Sequence, residues 1–256
     1  MSAPKRPNTL ITGASSGLGA EMARQLAASG HHLALTARRV ERLEELRDEI
    51  VAQHPDVEVV VHALDVNDHD RVFAVVKQSI ADLGGLDRVI VNAGLGKGGR
   101  IGTGSFAANK ETVETNFVAA LAQCEAAMEH FYERGSGHLV VISSFSAFRG
   151  MPSAMATYAA TKAGIAHLAE GIRSDLVNRK GHDIKVTTIF PGYIASEMNE
   201  KVAQEQRLMV DTETGVRGMV KAIEKESAEA VVPAWPWIPI GQVVKHAPLS
   251  VVRRLV

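Results

Sequence analysis

The stretch Thr9-Leu10-Ile11-Thr12-Gly13-Ala14-Ser15-Ser16-Gly17-Leu18-Gly19 joins a short apolar strand to an amphipathic helix through a loop with three glycines. Glycine permits a tight turn and lets a ligand approach the backbone closely. The N–H groups and the dipole at the start of a helix favour an anion. The spacing of Gly13, Gly17 and Gly19 therefore predicts a site for the pyrophosphate of a nucleotide, with a simple flexible turn as the alternative.

Strand and helix patterns alternate along the rest of the chain. Strands are predicted at residues 9–11, 33–36, 57–61, 88–91, 139–142, 185–190 and 229–232, and helices after the glycine loop and at 40–51, 69–83, 110–134, 154–178 and 214–224. Strict alternation implies parallel pairing through crossover connections. We predict an α/β fold: a Rossmann-type doubly wound parallel sheet of about seven strands, with helices on both faces. No repeat or linker divides residues 1–256, so we expect a single domain.

Composition excludes several classes of protein. The 256 residues carry a formal net charge of −1, so no nucleic-acid partner is expected. The single cysteine, Cys124, excludes an intrachain disulfide and is typical of a reducing compartment. The N-terminus has no secretory signal pattern, no apolar run is long enough to span a bilayer, and a cytoplasmic protein is predicted. The ten histidines show no metal-ligand spacing, and no metal site is predicted.

Tyr158 and Lys162 lie four residues apart in an alanine-rich segment, and therefore on one face of a helix. A phenol beside a fixed positive charge has its pKa lowered toward neutrality. Many Tyr-x-x-x-Lys pairs are merely solvated, so the meaning of this one depends on its context.

That context resembles the short-chain dehydrogenase/reductase family. The resemblance rests on motifs in the family's order: Thr12 with the glycine loop, Asn92-Ala93-Gly94, Ile142-Ser143-Ser144, Tyr158-x-x-x-Lys162 and Pro191-Gly192. It implies hydride transfer between a nicotinamide cofactor and a carbonyl or secondary alcohol.

Four catalytic residues follow from the resemblance. A carbonyl that accepts hydride develops negative charge on oxygen and needs a proton donor and a fixed hydrogen bond. Tyr158 would give the proton, Ser144 would hydrogen-bond the substrate oxygen, and Lys162 would lower the Tyr158 pKa and bind the nicotinamide ribose. Asn116 would support a water and a proton relay, or be a satisfied core or surface amide. Ser144 is preferred to Ser143 and Ser146 by its spacing to Tyr158, which is one residue longer than the family's commonest spacing.

The resemblance also implies a set of cofactor contacts. Asp65 would bind the adenine amino group and Val66 its ring, although Asp65 also reads as a loop or cap residue. The remaining implied contacts are Gly13, Ser15, Ser16, Gly17, Leu18, Gly19, Asn92, Ala93, Gly94, Tyr158, Lys162, Pro191, Gly192, Ile194 and Ser196.

The end of the second predicted strand indicates which cofactor is used. An NAD enzyme would need a carboxylate there for the ribose 2′-hydroxyl, but the chain reads Thr36-Ala37-Arg38-Arg39. Two guanidiniums can bind a 2′-phosphate in bidentate fashion, which predicts NADP(H) as the cofactor. Because NADPH-specific members of the family that the chain resembles generally act as reductases, reduction is the expected direction of the reaction. The alternative is two solvated charges at the start of a helix.

The C-terminal tail, residues 231–256, is apolar and rich in proline. We expect it to cover the substrate cleft or a partner subunit, or else to lie on a membrane surface with its basic residues at the headgroups. Together with Met198, Val202, Leu208 and Met209 it suggests a hydrophobic ketone or aldehyde as substrate.

The resemblance further implies a homodimer or homotetramer built on the Tyr158 helix and residues 113–128. Two other functions compete with the reductase. A non-catalytic NADP(H)-binding sensor or scaffold would need no intact Ser144, Tyr158 and Lys162, and an epimerase would normally have a larger C-terminal region.

Overall fold

A computed structural model of the chain describes residues 7–177, 179, 181–195, 197 and 208–255. Seven parallel strands form one sheet in the order β3-β2-β1-β4-β5-β6-β7. The strands are β1 Asn8–Thr12, β2 His32–Ala37, β3 Val59–Ala63, β4 Arg88–Val91, β5 Ser136–Ile142, β6 Asp183–Pro191 and β7 Glu229–Val232. The predicted doubly wound sheet is confirmed.

Helices cover both faces of this sheet. They are α1 Gly17–Ala28, α2 Val40–Gln53, α3 His69–Leu83, α4 Phe106–Val113, α5 Ala119–Arg134, α6 Met155–Leu176, α7 Thr212–Glu224, α8 Ala234–His246 and α9 Leu249–Leu255. One core layer joins α1, α2 and α7 to the sheet, and the other joins α3, α5 and α6. The parallel strands are therefore buried between two apolar layers.

The end signals of α3 explain why its predicted bounds are correct. The Asp68 side chain accepts a hydrogen bond from the Arg71 N–H, and Gly84 closes the helix in the left-handed conformation with φ +69°. These are the residue types that cap helices.

Two predicted segments differ from the structure. The helix predicted at 110–134 begins at Phe106 and contains a π-helical turn, Glu114–Val118, between α4 and α5. The apolar tail, for which no helix was predicted, forms α8 and α9. Its prolines are tolerated because Trp235 is non-helical, which leaves Pro239 in the first turn, where backbone N–H groups have no helical acceptor. None of the described helices is both long and apolar enough to cross a membrane.

A buried polar network crosses the amino-terminal edge of the sheet. Arg88 on β4 donates from Nε to Nδ1 of His138 on β5 at 2.9 Å, and His138 Nε2 pairs with the Thr187 hydroxyl on β6 at 2.8 Å. Arg88 also binds Glu224 at the end of α7, which His31 Nε2 approaches to 3.3 Å. Because a guanidinium only donates, His138 is neutral with its proton on Nε2.

Two groups in this network have pKa values far below their ordinary values. Burial, reinforced by the Arg88 charge, lowers the pKa of His138 to about 3. The hydrogen bond from His31, together with Arg88, lowers the pKa of Glu224 to about 2. Both groups therefore make the fold less stable in acid, where the unfolded chain binds protons that the folded protein does not.

His138 predicts acid sensitivity in a defined window. The unfolded chain binds a proton at His138 below about pH 6.5, and the folded protein does not until about pH 3. The free energy of unfolding should therefore fall with pH across this window, by up to about 1.4 kcal/mol per pH unit from this residue. Urea denaturation from about pH 7 to about pH 5 measures the slope. His138→Gln should flatten it, while His167→Gln on the exposed face of α6 should not. Equal slopes in His138→Gln and the wild type would contradict this account.

Candidate active site

The predicted site residues converge at the carboxyl ends of β1, β4, β5 and β6. The strand order reverses between β1 and β4, and a crevice for a ligand forms outside the strand ends at such a point. The glycine loop follows β1, Asn92 follows β4, Ser144 follows β5 and Gly192 follows β6.

Backbone packing makes glycine necessary in the loop after β1. Gly13 has φ +66°, and a Cβ there would lie 2.9 Å from the Ala93 Cα. A Cβ on Gly19 would lie 2.4 Å from the Gly13 backbone oxygen. Ser16 precedes α1 in extended conformation, its side chain makes no cap hydrogen bond, and the first turn holds no acidic residue. The start of α1 therefore fits a pyrophosphate.

Thr12 and Asn92 tie the two sides of the crevice together. The Thr12 hydroxyl accepts hydrogen bonds from the Asn92 and Ala93 N–H groups at 3.0 and 3.1 Å. The Asn92 amide donates to the Thr12 backbone oxygen at 2.8 Å. Asn92 thus braces the ends of β1 and β4 against each other.

The three serines after β5 have different roles. Ser143 is buried and donates to the Lys162 backbone oxygen at 2.7 Å. The Ser144 hydroxyl lies beside the Tyr158 phenol and acts on it as a hydrogen-bonding group that lowers its pKa. The Ser146 hydroxyl donates to Ser144 Oγ at 3.0 Å, and the Ser146 N–H donates to the same atom at 3.2 Å. Since Ser144 Oγ accepts both of these bonds, its own proton is directed away from Ser146, toward the side of the turn on which Tyr158 lies. Sequence reasoning missed this orienting role of Ser146, for which spacing carries no signal.

Tyr158 and Lys162 lie one turn apart on α6, as predicted. Lys162 Nζ is 5.9 Å from the centre of the Tyr158 ring and donates to the Ile142 backbone oxygen at 2.8 Å. Lys162 is buried and Tyr158 half-buried. The phenol, the ammonium and the Ser144 hydroxyl therefore form one group beside the end of β5.

Removal from water sets the protonation of this pair. Burial raises the pKa of the Tyr158 phenol, and the hydrogen bond with Ser144 opposes that change only in part. Burial lowers the pKa of Lys162 to about 8. The expected lowering of the Tyr158 pKa toward neutrality is therefore not found, because desolvation of the phenol dominates and the pKa is raised overall. Near neutral pH the phenol keeps its proton and the ammonium its charge, as a proton donor and a fixed cation require.

Asn116 lies in the π-helical turn and holds the chain beside Lys162. Its Oδ1 accepts from the Leu95 N–H, and its Nδ2 donates to the Leu95 backbone oxygen, both at 2.8 Å. A Cβ on Gly94 would lie 3.1 Å from Asn116 Oδ1 and 3.5 Å from Lys162 Nζ. Such π turns occur often at functional sites.

Two further side chains on the same helical face extend this support. Thr112 donates to the Lys97 backbone oxygen at 2.6 Å, and Asn109 exchanges two hydrogen bonds with the Gly99 backbone at 3.1 Å. Together with Asn116 they hold the loop after β4 along α4 and the π turn. The wall of the crevice is thus fixed by side-chain to backbone bonds.

Of the two arginines that follow β2, Arg39 is the one that hydrogen-bonds the serines of the glycine loop within the described residues. Arg39 donates to Ser16 Oγ at 2.7 Å and Ser15 Oγ at 3.3 Å, and to the Glu197 carboxylate at 3.2 Å. Arg42, which sequence reasoning missed, binds the same carboxylate at 2.7 Å. Its hydrogen bond to Arg42 and that to Ser16 lower the pKa of Glu197. This cluster holds a negative group next to the loop.

Arg38, and the residues expected to contact the adenine, Asp65 and Val66, make no contact that indicates a role in cofactor binding among the described residues. Arg38 is exposed, and no hydrogen bond of its side chain is recorded within the described residues. Asp65 Oδ1 accepts from the N–H and the amide of Asn67, which is a turn role. The Val66 side chain is buried in the core.

The segment after β6 is closely packed. Gly192 donates its N–H to the Val232 backbone oxygen at 2.8 Å, and Ile194 is buried. Leu18 packs against the core, and Pro191 ends β6. Ser196 lies outside the described residues, as do Met198 and Val202 of the apolar group that suggests a hydrophobic substrate.

The tail packs on its own chain over the Ser144 turn. The Arg149 guanidinium donates to the backbone oxygens of Lys245 and Ala247 at 3.0 and 3.2 Å. Lys245 Nζ lies 4.4 Å from the centre of the Phe148 ring. The described part of the tail thus packs on its own chain, while its covering of the substrate cleft, a partner subunit or a membrane stays a prediction.

A parallel sheet with a glycine loop at its reversal point, and a Ser, Tyr, Lys group beside it, defines a dinucleotide-binding class of protein. Residues 7–207 match the family model described as short chain dehydrogenase. The chain belongs to the short-chain dehydrogenase/reductase family of oxidoreductases.

Curated relatives agree with this assignment. The chain is 52% identical over 249 residues to an uncharacterized oxidoreductase of Mycobacterium tuberculosis, which covers 97% of both chains. It is 35% identical to an uncharacterized oxidoreductase of Myxococcus xanthus, over 89% of this chain and 87% of that protein.

Solved structures show the same fold. An alcohol dehydrogenase of Thermococcus sibiricus complexed with 5-hydroxy-NADP is 26% identical, with a TM-score of 0.76 over 89% of this chain and 96% of that one. A short-chain dehydrogenase/reductase of Burkholderia phymatum in complex with NAD is 19% identical, with a TM-score of 0.82 over 95% of this chain and 94% of that one, a likeness of fold alone.

Proposed function

We propose that this oxidoreductase uses NADPH to reduce a hydrophobic ketone or aldehyde, with Tyr158 as the general acid. The observation that carries the proposal is the grouping of Ser144, which Ser146 orients, with Tyr158 and the buried Lys162. A donor, an oriented hydroxyl and a cation meet at the strand ends where the glycine loop fits a dinucleotide.

The residues divide the work of reduction. The nicotinamide, when bound, supplies a hydride to the carbonyl carbon. Tyr158 gives its proton to the oxygen as negative charge develops there, and the Ser144 hydroxyl holds that oxygen by a hydrogen bond. Lys162 keeps a positive charge beside the phenol below about pH 8 and so stabilises the phenolate that forms. Asn116 fixes Leu95 and Gly94 next to Lys162. It thereby keeps the chain in place on the side of the ammonium where the proposed proton relay would reach it.

Electrostatics favours NADP(H) over NAD(H). The carboxylate of Glu197 lies between Arg39, Arg42 and Ser16, so this corner of the site already stabilises an anion. A ribose 2′-phosphate presents the same chemistry with more charge, and Arg38 is near enough in sequence to add to it. Similar solved structures contain either cofactor, 5-hydroxy-NADP in the protein of Thermococcus sibiricus and NAD in that of Burkholderia phymatum, so the proposed preference rests on these arginines.

The apolar substrate rests on the side chains around the strand ends. Phe145, Phe148 and Trp237 pack behind the Ser144 turn, while Tyr193 and Leu208 are exposed after β6. Such a wall would exclude water and favour an apolar carbonyl. We place the enzyme in the cytoplasm and treat residues 1–256 as one cofactor-binding domain.

Replacing Tyr158 tests the proposal against the sensor or scaffold alternative. Tyr158→Phe removes the proton donor, so NADPH oxidation with a panel of carbonyls should fall at least about 100-fold while NADPH binding persists. Apolar ketones and aldehydes should be the better substrates. NADPH binding by the wild type without turnover of any carbonyl would favour the scaffold, and turnover of small polar carbonyls alone would remove the hydrophobic substrate.

A matched serine pair controls this experiment. Ser144→Ala should lower kcat about 100-fold or more, because it removes the donor to the substrate oxygen. Ser143→Ala should instead lower the free energy of unfolding by about 1–3 kcal/mol, because it removes the buried bond to the Lys162 backbone.

Cofactor preference is tested at Arg39. Arg39→Ala should raise the KM for NADPH about 10- to 100-fold and leave the KM for NADH nearly unchanged, because only NADPH carries the 2′-phosphate. Arg47→Ala, farther along α2, is the matched control. If both KM values rise equally, Arg39 supports the glycine loop rather than the phosphate.

We also expect a dimer or tetramer. An apolar groove lies between α6 and the π turn, lined by Val113, Phe117, Ala156, Ala160 and Gly164. Light scattering at micromolar concentration should give the mass of at least two chains. Val113→Glu should dissociate them, whereas Val177→Glu, at the exposed end of α6, should not. The mass of one chain in the wild type would refute the assembly.

A further inference from the structure

The tail contains two tryptophans, two residues apart, in opposite surroundings. Trp235 is 79% exposed, and Trp237 is 4% exposed. Trp235 is non-helical, and the next turn of α8 directs Trp237 into the protein. The burial of Trp237 is therefore a specific property of this position, not of an apolar tail in general.

The Trp237 ring lies between the two turns that follow β5 and β6. Its centre is 4.7 Å from that of Phe145, the residue after Ser144, and 5.2 Å from that of Tyr193, the residue after Gly192. Both contacts are edge-to-face, an arrangement that favours one orientation of the rings. A Cβ on Gly192 would lie 2.6 Å from the indole, so only hydrogen fits between them.

These two turns border the reacting end of the site. β5 and β6 are neighbours, and the Ser143 N–H donates to the Ile189 backbone oxygen at 2.8 Å. A hydride reaches a carbonyl held by Ser144 and Tyr158 only from a nicotinamide beside them. The Gly192 turn therefore flanks the nicotinamide, if the proposed function is correct.

The volume of the indole, and not its N–H, is what these contacts use. The Trp237 Nε1 is buried with no hydrogen-bond partner among the described residues. A buried donor without an acceptor costs stability, so the ring is retained for its packing. Loss of that volume would let the two turns move relative to each other, and a displacement of about 1 Å can cost about 100-fold in rate.

We infer that Trp237 is a positioning residue, which holds the Ser144 turn and the Gly192 turn at the spacing needed to seat the nicotinamide end of the cofactor. The tail thereby acts on the reacting half of the site. The adenosine half, at the glycine loop and Arg39, lies outside its reach.

Two ligands separate these halves by calorimetry: NADP+, and 2′-phospho-ADP-ribose, which is NADP+ without nicotinamide. Trp237→Ala should weaken NADP+ several-fold and leave the fragment unchanged, which also reports that the protein has folded. Trp237→Phe should recover most of the lost affinity, and Trp235→Ala is the matched control with wild-type binding. Equal weakening of both ligands, unchanged NADP+ binding, or the same effect in Trp235→Ala would each overturn the inference.

Fluorescence gives a second readout that needs no turnover. Trp235→Phe leaves Trp237 as the only tryptophan, and its emission should change with NADP+ but not with the fragment. In Trp237→Phe, the remaining Trp235 should respond to neither. Emission from Trp237 that ignores NADP+ would contradict the inference.

The same binding measurements distinguish a failure of this inference from a failure of the proposed function. If the wild type binds NAD+ and not NADP+, the pair becomes NAD+ and ADP-ribose, and only the cofactor preference fails. If no carbonyl is reduced, the binding measurements still decide the role of Trp237. Where turnover is found, kcat in Trp237→Ala should fall about 10- to 100-fold through displacement of Ser144.

Discussion

The close approach of β1 and β4 at their carboxyl ends is the constraint on which the site depends. Thr12 and Asn92 bond each other's backbone across this junction, so the glycine loop is held against Ala93 with no room for a Cβ at Gly13 or Gly19. The same junction is where the strand order reverses and the crevice opens. A change that widened it would displace the start of α1 and the Asn92–Gly94 segment together.

Removal from water acts at both edges of the sheet with different results. At the carboxyl edge it raises the pKa of Tyr158 and lowers that of Lys162, which leaves a neutral donor beside a cation near neutral pH. At the amino edge it keeps His138 neutral among charged partners. The first arrangement suits chemistry, since its groups face the crevice. The second ties four secondary-structure elements together and makes the fold sensitive to acid.

Elements distant in sequence give the site its rigidity. The loop after β4 is held by Asn109, Thr112 and Asn116, which lie on one helical face and bond to alternate backbone units. Trp237, which belongs to the tail, lies between the turn after β5 and the turn after β6 and sets their spacing. Both devices fix loops by contacts outside the loops themselves, so elements distant in sequence set the spacing of the candidate catalytic side chains.

Local sequence determined the fold class and the central group of the site. Hydrophobic periodicity, glycine at the first strand–helix junction and caps such as Asp68 and Gly84 act within a few residues, so they were readable in advance, as was the placement of Tyr158 and Lys162 on one face. Tertiary structure decided which serine faces the phenol, that desolvation raises the Tyr158 pKa, that Arg42 joins Arg39, and that the tail folds into helices around Trp237. Those outcomes depend on which distant segments pack together and on how much water they exclude, and neither quantity is encoded in spacing along the chain.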